Sequence, residues 1–123
     1  MKNLILFNSR EGLLRLNIDR IVYFEASGNY TSVVTKNKLK ASLTMGLTRT
    51  ESELTEQLGK QALTFMRVGK RFIINRHYVY SVNLAKQHLV LSDLEHFAFQ
   101  LPVSKEALRK VKELLISANK ELL

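Results

Sequence analysis

No cysteine occurs in the 123 residues. That single absence removes disulfides, thiolate nucleophiles and zinc-finger ligation together, and it agrees with a reducing compartment. Long apolar runs are missing as well, since none nears the roughly 20 residues of a membrane helix. The start Met1-Lys2-Asn3-Leu4-Ile5-Leu6-Phe7 meets a polar turn too early for a signal peptide. A cytoplasmic location without a membrane partner is expected. Acidic residues are lacking over one long span: none lies from Gln57 to Ser92, where Lys60, Arg67, Lys70, Arg71, Arg76 and Lys86 all fall. Nineteen Lys and Arg against eleven Asp and Glu give a formal charge of +8. A positive field left unneutralised by its sequence neighbours is a common footprint of nucleic-acid binding. The plainer account is that these cations only solvate the surface.

Catalytic constellations are also absent. His77, His88 and His96 have no partner at the helical spacing of a zinc site. No GxSxG, P-loop or GxGxxG occurs, and the serines have no recognisable activating triad. Glu25 beside a Gly-Asn loop could be drawn as a general base, but a carboxylate ending a strand is far more often solvated or bonded to a loop. The chain is expected to be no enzyme, with no cofactor, metal or small-molecule substrate.

What is present folds. Hydrophobic residues make up 46% and charged residues 24%, and the length suits one core, so residues 1–123 read as one domain. Its most telling stretch runs from Phe65 to Asn75. Met66 and Val68 alternate, Phe72, Ile73 and Ile74 form a dense β-branched and aromatic run, and both halves read as buried strands. Gly69 frees the backbone to turn between them, which leaves Lys70 and Arg71 at a hydrated tip.

The remainder supplies scaffold. Leu4 to Phe7 and Leu13 to Asn17 read as a hairpin around Asn8-Ser9-Arg10-Glu11-Gly12. Ile21 to Phe24 is a strand ending at Glu25, and Tyr30 to Thr35 resumes after the loop Ala26 to Asn29. Leu39, Ala41 and Leu43 alternate onto one face. Thr50-Glu51-Ser52-Glu53 has the spacing of a capping box, with Leu54 and Leu58 on one face of a short helix, acidic at its start and stopped by Gly59, that plugs one end of the sheet. Strands follow at Tyr78 to Val82, His88 to Leu91 and His96 to Leu101, where Pro102 ends the ladder. Ser104 is an N-cap for a last helix with an apolar stripe of Leu108, Val111, Leu114, Leu115, Ala118 and Leu122. Roughly ten strands and two helices make an α+β, mainly β domain.

Three loops carry donors suited to nucleic acid: Ser27 to Thr31, Gly69 to Arg71, and Val103 to Lys105 at a helix start, where exposed N–H groups favour a phosphate oxygen. Asn and Thr bond base edges or phosphates, Lys neutralises phosphates, and Arg can grip guanine with two prongs. Each loop alone is equally a solvated turn; Tyr30 can be a half-buried strand residue and Phe72 a core one.

The ordered set Ile21-Val22-Tyr23-Phe24-Glu25-Ala26 with Gly28-Asn29-Tyr30, Phe65-Met66-Arg67-Val68, Phe72-Ile73-Ile74-Asn75 and Leu101-Pro102-Val103-Ser104 resembles the LytTR family of bacterial DNA-binding domains, over roughly Ile5 to Leu115. The resemblance implies an elongated multi-stranded β domain with little helix, whose loops at Asn29, Tyr30 and Thr31, at Gly69, Lys70 and Arg71, and at Ser104 and Lys105 enter successive major grooves. The family usually has His-Arg-Ser or a close variant where this chain has Gly69-Lys70-Arg71, so the base preference does not carry over. Members commonly follow a receiver domain; the start at Met1 favours a stand-alone member. The expectation is therefore sequence-specific binding of double-stranded DNA and transcriptional regulation. Lys70, Arg71 and Asn29 would contact the groove, Ser104 and Lys105 phosphate, with Arg67 and Arg76 supporting the field. A second copy would sit on an adjacent half-site. The rival is a protein interaction module using the stripe from Leu108 to Leu122 and the basic surface. Single-stranded RNA binding ranks below both, for want of evident base-stacking aromatic pairs.

Overall fold

The computed structural model describes residues 3–122. The Met1-Lys2 start and the side chain of Leu122 lie outside the described residues. Ten strands and two α-helices form the mainly β, α+β architecture expected. The structure divides between His77 and Tyr78 into two compact units, each described by itself.

In the first unit, β1 (Leu4–Asn8) and β2 (Leu13–Asn17) pair as the expected antiparallel hairpin. A five-stranded antiparallel sheet follows, made of β3 (Ile21–Ser27), β4 (Tyr30–Thr35), β5 (Lys40–Leu43), β6 (Phe65–Val68) and β7 (Phe72–Asn75) in the order β5-β4-β3-β7-β6. Its middle strands are the continuous apolar runs, and Val22, Tyr23, Phe24, Phe72, Ile73 and Ile74 are all buried. Both faces of those strands are thus removed from water, which is why their sequences do not alternate. At the sheet edge the pattern expected of Leu39, Ala41 and Leu43 holds only in part. Leu39 precedes β5 and is 66% exposed, whereas Leu43 is buried.

One sheet face carries Phe24, Val33 and Ile73, which the register sets side by side. They form a core cluster with Ile5 and Phe7 of the hairpin, Phe65 of β6, and Leu47, Leu54 and Leu58 of α1 (Leu47–Leu58). Burying each of these α1 leucines contributes about 1.5–3 kcal/mol. The helix therefore covers a face and does not plug an end. The expected capping box is also absent. Gly46 is the N-cap, the first turn holds no acidic residue, and Thr50 is buried inside the helix with its hydroxyl donating 2.9 Å to the Gly46 carbonyl. Leu47 supplies the apolar contact that starts the helix four residues early, with its N-cap at Gly46 and not Thr50. Gln57 ties it to β1 by donating 2.7 Å to Leu6 O and accepting 2.9 Å from Leu6 N, so one amide side chain imitates a strand neighbour.

The second unit has a three-stranded sheet in the order β10-β9-β8, from β8 (Val79–Asn83), β9 (His88–Ser92) and β10 (Ala98–Pro102), and the helix α2 (Lys105–Leu122). Ser104 caps α2, its Oγ accepting 3.2 Å from Ala107 N. The expected stripe on α2 is buried at Leu108 and Val111, half-buried at Leu115 and Ala118, and exposed at Leu114; Ile116, outside the stripe, is exposed too. Between β9 and β10 the chain turns around Asp93. Its Oδ1 accepts N–H bonds from Glu95 at 3.0 Å, His96 at 2.7 Å and Phe97 at 3.2 Å, and its Oδ2 lies 2.7 Å from His96 Nδ1. Desolvation pushes the Asp93 carboxyl up, but the bonds from His96, Glu95 and Phe97 prevail and hold it well below the ordinary 3.8.

Because the folded pKa of Asp93 is depressed, its stabilising effect is whole above the ordinary carboxylate value and drains away as pH falls below it. Asp93→Asn should be less stable than the parent at pH 7, with the difference shrinking from about pH 4 downward. Denaturant unfolding at several pH values measures this. A difference that stays constant with pH would refute it.

Candidate nucleic-acid interface

Two of the three donor-bearing loops meet at one end of the five-stranded sheet. The β3–β4 hairpin ends in the pair Ser27↔Tyr30, leaving Gly28 and Asn29 as its two-residue turn. Gly28 has φ +62, while Asn29 is not among the positive-φ residues, which is the pattern of a type II′ turn with glycine first. The β6–β7 hairpin closes with Val68↔Phe72, leaving Gly69, Lys70 and Arg71, and Gly69 has φ +60. Since β3 and β7 run antiparallel with Glu25 opposite Phe72, the end of one strand and the start of the other coincide. Ala26 N donates 2.8 Å to Arg71 O and prolongs the ladder into the turn.

The three cations of this hairpin are in different states. Arg67 reaches inward from β6. Its Nη1 lies 3.2 Å from Glu51 Oε1 of α1, its Nε donates 3.3 Å to Gly69 O, and its Nη2 donates 3.5 Å to Lys70 O. The guanidinium braces the turn from below and is not presented outward. Arg71 is exposed on one side, but its Nη2 is ion-paired with Glu25 Oε2. Its guanidinium carbon stands 5.1 Å from the centre of the Phe72 ring, and Tyr23 meets Phe72 edge-on at 6.1 Å. Burial first, and the Glu25 charge second, push the Tyr23 hydroxyl up, so it stays neutral at physiological pH. Lys70 is exposed and makes no ion pair among the described residues. Sequence led us to expect both tip cations to be hydrated; Arg71 instead has a carboxylate partner.

The other expected residues separate in the same way. Asn29 and Tyr30 are exposed, Tyr30 by 54%. Thr31 is fully buried and donates 2.9 Å to Met45 O, so its side chain offers nothing to a partner in this state. Arg76 follows β7, at the end of the strand opposite the turn that carries Lys70, and its Nε is buried. The first unit does not bring Arg76 together with Lys70. Ser104 and Lys105 belong to the second unit, both exposed at the start of α2. The histidines of the described residues enter no group of three or more His, Cys, Asp or Glu able to hold a metal. No described helix is long and apolar enough to cross a membrane.

A family model of the LytTr DNA-binding domain matches residues 11–116. The chain belongs to that family. Among solved structures, a LytTr DNA-binding domain from Bacillus cereus is similar at a TM-score of 0.64 and 20% identity, over 94% of this chain and 98% of that one. At that identity the likeness is one of fold. No curated protein matches the chain.

Within this LytTr domain, sequence reasoning did not connect either carboxylate to a cation of the turn. Glu51 is expected in a capping box and instead meets Arg67; Glu25 is expected to be solvated or bonded to a loop, and it bonds the loop residue Arg71. The acid-free span from Gln57 to Ser92 was an incomplete guide, because both carboxylates come from outside it. The only sequence hint was that Glu25 ends a strand next to a Gly-Asn turn.

Arg67→Ala should destabilise the fold by about 1 kcal/mol, the usual worth of a partly exposed charged hydrogen-bonding group, and accelerate amide exchange around Gly69 and Lys70. Arg67→Lys should recover little, since an ammonium lacks the planar fork that spans these acceptors. Exchange monitored by NMR decides it. Unchanged exchange in both variants would remove Arg67 from the role of brace.

Proposed function

We propose that this LytTr domain binds double-stranded DNA sequence-specifically and regulates transcription in the cytoplasm of a bacterium, without catalysis. The observation that carries the reading is the juxtaposition of turn 28–29 with turn 69–71 at one sheet end, with Lys70, Asn29 and Tyr30 exposed there. Lys70 is the leading phosphate contact, and Arg71 and Asn29 the leading contacts to base edges in a major groove. Pairing with Glu25 does not disqualify Arg71, because a surface ion pair is worth only about 0–1 kcal/mol and guanidinium has five donors. Ser104 and Lys105 offer a second phosphate contact at the capped start of α2, where free N–H groups and the helix dipole favour an anion. Thr31, Arg67 and Arg76 act through the fold and the field. Two copies on half-sites about one helical turn apart fit the way such domains gain site length.

The rival reading, a protein interaction module, draws on the exposure of Leu114 and Ile116 on α2. Selection from a randomised duplex pool separates the two. Enriched paired half-sites support DNA recognition, and no enrichment supports the rival.

With about six phosphates neutralised, the log of affinity should fall against log salt with a slope near −5. Lys70→Ala should weaken binding to all sequences alike and reduce the slope by about 0.9. Fluorescence anisotropy across salt concentrations measures both. A slope near zero for the parent would defeat the electrostatic part of the reading.

A further inference from the structure

We infer that Glu25 is a positioning residue that sets the specificity of the domain by holding the Arg71 guanidinium in one orientation toward the DNA; this rests on the DNA-binding reading above. Arg71 occupies a turn, where a long side chain has many rotamers and loses considerable entropy on being fixed. Two contacts hold it before any partner arrives: one Nη is bonded to Glu25, and the guanidinium carbon stands 5.1 Å from the centre of the Phe72 ring, which Tyr23 supports from the edge. Its backbone is held separately, Ala26 N donating 2.8 Å to Arg71 O. Glu25 is itself fixed, since it lies in β3 opposite Phe72 and Ser32.

The ion pair occupies one edge of the fork. The Arg71 side chain remains 56% exposed, against 25% for that of Glu25, so the ion pair leaves much of Arg71 open to a partner. A planar fork held along one edge suits two-pronged recognition of a guanine edge, which needs orientation more than charge. For a phosphate contact alone, a carboxylate close to the DNA would be a disadvantage. Glu25 thus costs non-specific affinity while it orders the reading group.

Removing Glu25 should move two measurable quantities in opposite directions. Glu25→Ala should lower the preference at one base pair by about two- to fivefold, the most that a surface ion pair can supply, and less than the loss of the whole two-pronged contact in Arg71→Ala. The same variant should bind random duplex about threefold more tightly, as expected on removing one charge roughly 7 Å from a phosphate in water. Glu25→Gln keeps an acceptor for Arg71 and should restore part of the preference, yet retain the gain on random DNA. Combining Glu25→Ala with Arg71→Ala should lose no more preference than Arg71→Ala alone. In the DNA-free protein, the Arg71 Nε–Hε signal should lose its dispersion in Glu25→Ala, while circular dichroism and thermal melting report whether the sheet persists.

Equal tightening on all sequences would show that Glu25 merely masks Arg71 and would overturn the inference. Retained preference in a folded Glu25→Ala variant, or an unmoved Arg71 signal, would also overturn it. If the parent itself selects no sequence from a random duplex pool, the DNA-binding reading fails and the inference falls with it.

Discussion

Pairing between β3 and β7 is the constraint on which the first unit depends. It joins residues about fifty positions apart, so its closure entropy must be offset by burial at the junction. Phe24, Ile73 and Ile74, each within 1% of full burial, meet there. Asn75 closes the far end of the pair by donating 2.9 Å from its buried amide to Ile21 O, while its Oδ1 accepts from His77 N at 3.0 Å. A slip of one residue would put Phe24 and Ile73 on opposite faces and break the bond from Asn75 to Ile21, so the register is strongly specified. That same register brings turn 28–29 beside turn 69–71.

The electrostatics of the site follow from local placement more than from total charge. A chain of +8 could carry a diffuse basic surface, but this hairpin gives its cations separate tasks. Arg67 shares the sheet face of Phe65 and Ile73, which α1 covers, and so meets Glu51 of that helix and the carbonyls of its own turn. Arg71 leaves the turn on the side of β3 and meets Glu25. Lys70, between them, points to solvent. Two arginines that look alike in the sequence are thus a brace bonded to carbonyls of its own turn and an exposed cation paired with Glu25, and neither arrangement requires the field of the whole molecule.

The elements themselves were largely legible. Continuous apolar runs at Ile21 to Phe24 and Phe72 to Ile74 gave central strands, Gly28 and Gly69 gave the turns, and Ser104 gave the start of α2. Failures arose where a local motif competed with tertiary packing. Thr50 and Glu53 have the spacing of a cap, but Leu47 gains more by entering the core, so the helix begins upstream and Thr50 bonds within it. Thr31 looked like a loop donor, yet its place opposite Ala26 on the covered face buries it. The stripe on α2 predicted helix correctly but not which of its residues would be covered.

Sequence by itself determined the strands, the turns, the excess of positive charge and the position of Lys70 at a tip, because each follows from neighbours within a few residues. Only tertiary structure decided which cations are engaged. Glu51 lies 16 residues from Arg67, and Glu25 lies 46 from Arg71. Separations of that length become contacts only through strand register and the packing of a helix on a sheet, and neither is written in the local pattern of residues.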